Sequence, residues 1–512
     1  MRLPLGLTDG FPMSQLMAKR MRNPGFSLAI TLTLTLASGG RPSVAQTEPT
    51  AETAQSPAAK LPPLTDFVGT YAYQGATIEI VAPDDLFVLL DGGKYRLRRK
   101  SADVFVNASG ADVTFHRGPD GAVVSAEDQT GVNRLLSASV SARAAAAFQP
   151  RPLGSPPYRY QTPRDMQDGI PVGDVAKSDL GAEAAGRIVA GVLDKTWEDV
   201  DSVLIFQRGK LVLEEYFYGY DRDTPHQLRS ATKSVVSAVV GTAVANGAVT
   251  LDDPVLPRLG YATVANPDPR KSAITLRNLL TMQSGLDCDD HVAGSPGGEN
   301  QLYNTPDWIR VMVDLKMVDT PGTVCHYCTG NTFLAGRMVE KATGRALPDY
   351  AQEHLFSPLG IRRADWTWNP VLTNADKHFG MMAMRPRDML KFGMLYANEG
   401  RWGNKQVLHA AWVKESLSSL STVENTAYGY YWWRMWVQVS TPDGPRRVYM
   451  SAAQGNGGQK IYLVPELDLI AVFTGSRYNT GDAPPNKIMA SVVLPTLMQA
   501  RGVQGDVGAP AH

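Results

Sequence analysis

"LRSATKSVVSAVVGTAVANG", residues 228–247, sets a serine and a lysine three positions apart and then turns almost wholly apolar. If a helix begins at Ser230, residues i and i+3 share one face, and Ser230 and Lys233 point the same way. The run "SVVSAVVGTAV" after Lys233 leaves such a helix little face for solvent. A lysine forced into an apolar helix loses hydration, so its pKa is expected to fall, and it can then take or relay a proton near neutral pH. A serine at a helix N-terminus sits among free N–H groups and partial positive charge. Its hydroxyl is a weak nucleophile until a base stands beside it. Its own N–H can bind the oxyanion that attack on a carbonyl creates. An N-cap serine followed by a solvated lysine has the same spelling, so the rest of the chain decides.

Four stretches, in order, carry a resemblance. "LRSATKSVVSAVVG" followed by "GAVTLDDPV" resembles the nucleophile helix of the serine β-lactamase and penicillin-binding-protein superfamily. It is most similar to the class C-like branch, which includes esterases and 6-aminohexanoate-oligomer hydrolases. "ITLRNLLTMQSGL" (274–286), "PGTVCHYCTGNTFLAGRMVEKATGR" (321–345) and "AAQGNGGQKIYLVPELDLIAVFTG" (452–475) resemble the signatures that follow in that family. Together they span about residues 171–499. The resemblance implies Ser230 as nucleophile, Lys233 as its paired lysine and Tyr327 as the proton acceptor and later donor. It also implies the N–H groups of Ser230 and Gln459 as oxyanion donors, and Asn331, Asn456, Gly457 and Gly458 on the substrate side. A tyrosinate beside an ammonium is sensible, because each charge favours the other.

There are departures. Penicillin-binding enzymes often carry Tyr-x-Asn, whereas Tyr327-Cys328-Thr329 has its Asn two residues later, at Asn331. Tyr396-Ala397-Asn398 fits the pattern literally, but it closes an amphipathic run before Gly400 and reads as a helix terminus. The late motif reads Asn456-Gly457-Gly458 where a Lys-Thr-Gly lysine would suit a substrate carboxylate, which argues against efficient β-lactam hydrolysis.

Around these stretches the pattern is α+β. "VLIFQ" and "LVLEEYFYGY" flank Arg208-Gly209-Lys210 as a hairpin, and "KIYLV" and "LIAVFTG" flank residues 465–468 as a second. "RRVYM" adds a further strand. Helical patterns lie between, at 230–246, 275–283, 331–343, 387–398 and 410–420, with Thr275 an N-cap and Gly247 a stop. Strands at both ends with helices between imply one antiparallel sheet whose ends meet, flanked by helices, plus a helical lobe. This is the β-lactamase-like fold that the resemblance implies, with a cleft between the lobes.

The N-terminal part differs. Lys19, Arg20 and Arg22 precede the apolar run "FSLAITLTLTLAS", and Ser43 and Ala45 are placed for cleavage, so 1–45 reads as a secretory signal. Residues 46–64 are a Pro/Ala/Thr-rich linker. Within 65–147, five short β runs alternate with turn signals and predict a small antiparallel β domain without catalytic clusters. The hydrolase-like unit is expected at 160–505.

Three cysteines, Cys288, Cys325 and Cys328, suit one disulfide in an oxidising compartment. Cys288–Cys328 and Cys288–Cys325 both tie distant loops. The "CDDH" and "CHYC" segments have donors for zinc but lack paired C-x-x-C spacing, and no metal or cofactor is expected. "DCDDH" (287–291) reads as a solvated acidic loop, His326 as structural or pocket-lining, and "YGYYWWRMW" (428–436) as core or cleft wall. With 50 Lys+Arg against 50 Asp+Glu, nothing points to nucleic acid or an anionic membrane.

The expected protein is a secreted or periplasmic serine hydrolase, without stable membrane insertion after signal cleavage. It acts on a small ester, an amide or a short peptide-like substrate through an acyl-enzyme. The alternatives are a D-amino-acid peptidase or β-lactamase, and a non-catalytic peptidoglycan-binding protein of the same fold. Substrate identity and oligomeric state are not written in the chain.

Overall fold

The computed structural model describes residues 61–73, 76–90, 92–107, 110–303, 305–369, 381–481 and 483–508. The expected signal segment and most of the linker lie outside them.

The N-terminal strands are β1 (Gly69–Tyr73), β2 (Ala76–Val81), β3 (Leu86–Leu90), β4 (Gly93–Arg99), β5 (Val104–Val106), β6 (Asp112–Arg117), β7 (Val123–Asp128) and β8 (Gly131–Ser137). Each pairs antiparallel with the next, and β8 returns to β1 through Thr70 opposite Ser137, closing a barrel. Closure removes the sheet edges that a small open β domain would expose. The rings of Phe67, Phe105 and Phe115 fill the interior with centroids 4.6–5.5 Å apart.

The second unit is built on an eight-stranded antiparallel sheet. Its strands are β9 (Val200–Gln207), β10 (Lys210–Tyr216), β11 (Ser421–Val423), β12 (Thr426–Tyr428), β13 (Trp433–Thr441), β14 (Gly444–Gly455), β15 (Gln459–Val464) and β16 (Leu469–Gly475). Their order is β10-β9-β16-β15-β14-β13-β12-β11. The first hairpin therefore lies against the last, as the sequence pattern implies, with Ala471 opposite Ile205. Strands β9, β15 and β16 are buried along their whole length. Such continuous apolar runs, rather than alternation, are what a sheet covered on both faces requires.

Helix α1 (Gly181–Leu193) precedes the sheet, and α2 (Thr232–Ala245), α3 (Leu276–Leu280) and α4 (Thr329–Thr343) belong to the lobe. α5 (Pro386–Ala397) lies on β9, β15 and β16, and α6 (Leu494–Ala500) on β13. α2 is buried from Thr232 through Ala243 and packs against α4, so it is the lobe's central rod. α3 starts as expected at Thr275, whose side chain and that of Asn278 form a reciprocal capping box. The helix expected at 410–420 stops at Ser416, where the chain turns into β11. Tyr396 is buried at the end of α5 and Asn398 is its cap, so the literal Tyr-x-Asn is a helix terminus. In the aromatic run, Tyr428, Tyr430, Tyr431 and Trp432 are core. No helix among the described residues is long and apolar enough to cross a membrane.

Lys460, on β15, is buried with its ammonium 2.5 Å from the Gln454 side-chain oxygen. Desolvation pulls its pKa from 10.5 down to about 8. Between those two values the unfolded chain binds the extra proton, so this group's contribution to stability rises with pH across that window and is least favourable below it. Lys460→Met should therefore raise the unfolding free energy at neutral pH, by at most roughly 3 kcal/mol. The gain should shrink as pH climbs past about 8. Parallel urea titrations across that range check this; a gain that grows with pH would count against it.

Candidate active site

Ser230 lies in a 3-10 turn, Arg229–Ala231, that feeds directly into α2. The α-helix thus starts at Thr232, two residues later than the sequence pattern suggests. The turn is entered through Arg229 at φ +49°, a left-handed conformation disfavoured for any residue with a Cβ. It lifts Ser230 to a half-exposed position while Lys233, one turn on, is only 4 % exposed. The Lys233 ammonium donates to Ser230 Oγ at 3.1 Å. It also lies 4.9 Å from the centre of the Tyr327 ring. The Tyr327 hydroxyl stands near enough to Ser230 and Lys233 that both favour its ionised form. Three residues from two distant segments therefore meet in one cluster, with Lys233 and Tyr327 buried and Ser230 at its open side.

The electrostatics reverse one sequence expectation. Burial does push the Lys233 pKa down, but Tyr327, Glu299 and Asp290 together outweigh it, and the net direction is up. Burial also raises Tyr327, more than Lys233 and the Ser230 hydrogen bond lower it. The resting pair is an ammonium and a phenol.

Asp290 is the residue that sequence reading undervalued. Far from a solvated loop, its carboxylate accepts from Thr329 N–H at 2.8 Å and from the Thr329 hydroxyl at 2.6 Å, both at the start of α4. Its other oxygen accepts from Glu299 N–H at 2.9 Å, and its own N–H donates to the Tyr327 carbonyl at 2.8 Å. Desolvation raises its pKa, against the pull of Lys233. Glu299 accepts from the Tyr303 hydroxyl behind it. The available signal was the "DD" beside an apolar "SGL" turn, but local composition cannot distinguish a solvated carboxylate from one folded under a neighbouring loop.

The same loop is stapled by a disulfide between Cys288 and Cys328, which leaves Cys325 as the free thiol. Two of the three thiols are thereby consumed, which overturns the zinc alternative. No cluster of three or more His, Cys, Asp or Glu suited to a metal ion occurs among the described residues. His291 stacks on Tyr327 with ring centres 5.1 Å apart and planes 4° from parallel, and Trp433 approaches at 5.6 Å. His326 instead pairs with Asp319 at 2.7 Å within its own loop, and reaches Asp289 of the acidic loop at 3.5 Å.

Opposite this cluster, β14 ends at Gly455. A Cβ there would lie 2.0 Å from the Leu228 carbonyl, so only glycine lets the Ser230 turn rest on the strand end. Gly457 and Gly458 follow at φ +91° and +106°, turning the chain back into β15 at Gln459. The Gln459 side chain is wholly buried, donating to the Gly475 carbonyl at 2.5 Å and accepting from the Gly475 N–H at 3.2 Å. Any contact it makes with an oxyanion therefore falls to its backbone. Asn456 is exposed and exchanges hydrogen bonds with Asn479, at 2.6 and 3.1 Å. Asn331 is different: it is fully buried on α4, its amide nitrogen 3.8 Å from the Met282 sulfur and its Oδ1 without a hydrogen-bond partner among the described residues. That places it beneath the Tyr327 loop rather than on an open substrate face.

The chain is similar to known proteins over the unit that carries this site. Residues 178–492, more than half of the chain, match the family described as Beta-lactamase. The 6-aminohexanoate-dimer hydrolase of Paenarthrobacter ureafaciens is 26% identical over 306 residues, covering 55% of this chain and 73% of that protein. The lovastatin esterase of Penicillium rubens is 30% identical over 177 residues, covering 31% of this chain and 43% of that protein. Among solved structures, a penicillin-binding protein homologue from Caulobacter crescentus covers 63% of this chain and 99% of its own at 14% identity, with a TM-score of 0.48. The β-barrel lies outside the family match.

The disulfide spans 40 residues of sequence and anchors the loop under Tyr327. Cys328→Ser should lower the unfolding free energy by about 2–4 kcal/mol, the usual effect of releasing a loop of that length. Mild thiol reduction of the unaltered protein should reproduce the loss. Equal chemical denaturation midpoints for oxidised and reduced protein would refute it.

Proposed function

The chain belongs to the Beta-lactamase family, and from that premise we propose that it is an exported serine hydrolase cleaving an ester or amide bond through an acyl-enzyme on Ser230. The observation that carries this reading is the 3.1 Å hydrogen bond from Lys233 to Ser230 inside a cluster that also holds the Tyr327 hydroxyl. The exported form fits the Cys288–Cys328 disulfide, which persists in an oxidising compartment. We assign the reacting residues to 160–505 and treat 65–147 as a module with its own core.

In this mechanism the reactive form has lost one proton from the Tyr327–Lys233 pair. Tyr327 as phenolate, held by the Lys233 ammonium, takes the Ser230 proton as Oγ attacks the carbonyl carbon. Backbone N–H groups of Ser230 and Gln459 receive the oxyanion. The tetrahedral intermediate collapses, and Tyr327 returns its proton to the departing alcohol or amine. Water then enters, gives its proton to Tyr327 and attacks the acyl ester; Ser230 recovers its proton as the acid leaves. Asp290 and Glu299 keep Lys233 cationic throughout. Gly457 and Gly458 give the substrate close access to backbone, and Asn456 borders it; Asn331 supports the Tyr327 loop from behind. The lack of a Lys-Thr-Gly lysine and the relatives' printed activities favour simple esters and linear amides over β-lactams.

Turnover of p-nitrophenyl esters and labelling by a fluorophosphonate should both vanish in Ser230→Ala. A wild-type protein with neither would reduce the chain to a binding protein of this fold. Tyr327→Phe should lower kcat by about 10²–10⁴ with little change in KM. Because both Lys233 and Tyr327 are raised, the proton that must leave is lost only toward alkaline pH. kcat/KM should therefore climb from about pH 6 to beyond about pH 8, and a profile that falls across that range would contradict the assignment of Tyr327 as base.

A further inference from the structure

The β-barrel touches the hydrolase unit at a telling place. Lys94, at the start of β4, donates to the Asp199 carboxylate at 2.5 Å, with only 10 % and 18 % of the two side chains exposed. Its ammonium lies 4.4 Å from the centre of the Tyr218 ring and 5.2 Å from that of Phe148. Phe148 in turn meets Phe87 of β3 at 4.6 Å. A largely desolvated cation of this kind is costly to leave without its carboxylate, so the contact is more than a surface ion pair.

Asp199 is itself a hub. Its carbonyl accepts from Ser476 N–H at 3.0 Å, and its carboxylate stands 3.7 Å from the Arg477 guanidinium. Arg477 N–H donates to the Gly457 carbonyl at 3.2 Å, within the turn that leads into Gln459. A second path starts two residues from Lys94. Gly92, at φ +79°, comes so close that a Cβ there would lie 3.0 Å from the Tyr220 hydroxyl and 3.5 Å from that of Tyr478. The Tyr478 hydroxyl is 3.5 Å from Gln459 Nε2, and its ring is where a Cβ on Gly457 would collide, at 2.5 Å. The other side of this ring's surroundings is Arg229, 4.5 Å from its centre and next to Ser230 in sequence.

We propose that the barrel is a working part of the catalytic unit: its β3–β4 hairpin clamps the 475–479 turn and so positions the backbone of Gln459 against Ser230. Lys94 and Tyr478 are positioning residues in this scheme, acting through Asp199 and through Gly457 and Gln459. The proposal rests on the reading of Gln459 as an oxyanion donor. It predicts a signature that simple inter-domain adhesion lacks, because loosening the clamp disturbs the transition state more than the bound substrate.

The test uses the full chain and p-nitrophenyl acetate. Lys94→Gln should lower kcat about tenfold while KM stays within about twofold, and it should weaken phenylboronic acid, which forms a tetrahedral adduct on serine, by a similar factor. Lys94→Arg, which keeps the cation, should restore most of the loss. Gly92→Ala, which pushes on the second path, should repeat the effect, and it keeps the question open to test if Lys94→Gln fails to fold. Near-wild-type kcat and boronate affinity in both folded variants, with Ser230→Ala inactive, would overturn the clamp and leave the hydrolase reading standing. Absence of any Ser230-dependent turnover in the wild type would overturn both.

Discussion

A lysine ammonium with almost no access to water is the interaction on which this site depends. Lys233 cannot sit in the apolar rod α2 unless negative charge and hydrogen-bond acceptors come to it. Ser230 supplies one acceptor from the preceding turn, at 3.1 Å. Tyr327, Glu299 and Asp290 supply the rest of the compensation from loops far away in sequence. The need to satisfy one charge thus draws together the residues that a proton-transfer cycle uses. Asp290 shows how closely stability and chemistry are joined here, since the carboxylate that biases Lys233 is also the one that pins the first turn of α4.

The second constraint is steric. The Ser230 turn lies on the end of β14 only because Gly455 has no Cβ to strike the Leu228 carbonyl. Two further glycines at positive φ then turn the chain into β15. Behind this turn the packing is dense and polar: the Gln459 amide is held by both backbone groups of Gly475, and Tyr478 fills the space beside Gly457. A backbone held from several sides reorganises little when charge develops near it, which is the property an oxyanion site needs. The barrel hairpin adds its contacts to this same turn rather than elsewhere on the surface.

Much of this was legible in the chain. The helices beginning near Thr329 and Pro386 follow from their apolar periods, the one near Thr232 from its unbroken apolar run, the N-cap at Thr275 from its residue type, and the meeting of the first and last hairpins from their uninterrupted apolar strands. Other features were hidden for physical reasons. Desolvation alone predicts a falling Lys233 pKa, and the opposite direction arises from Tyr327 first and then from two carboxylates, none of which a local window contains. The acidic loop at 287–291 has the composition of a solvated turn, yet a disulfide and the start of α4 fold it inward. The aromatic run at 428–436 is mostly core, and the Trp433 ring approaches Tyr327.

By itself, the sequence determined the elements and the residue types: an antiparallel β module, an α+β unit, and a serine and lysine one helical turn apart with a tyrosine and a glycine-rich strand to follow. Period, capping and turn chemistry are local, and local energetics are written in neighbouring letters. Only the tertiary structure decided that the β module closes into a barrel, that Asp290 and Glu299 face Lys233, and that a barrel hairpin reaches the turn behind Gln459. Those outcomes depend on charges and surfaces brought together across long stretches of chain, and their energies exist only once the chain has folded.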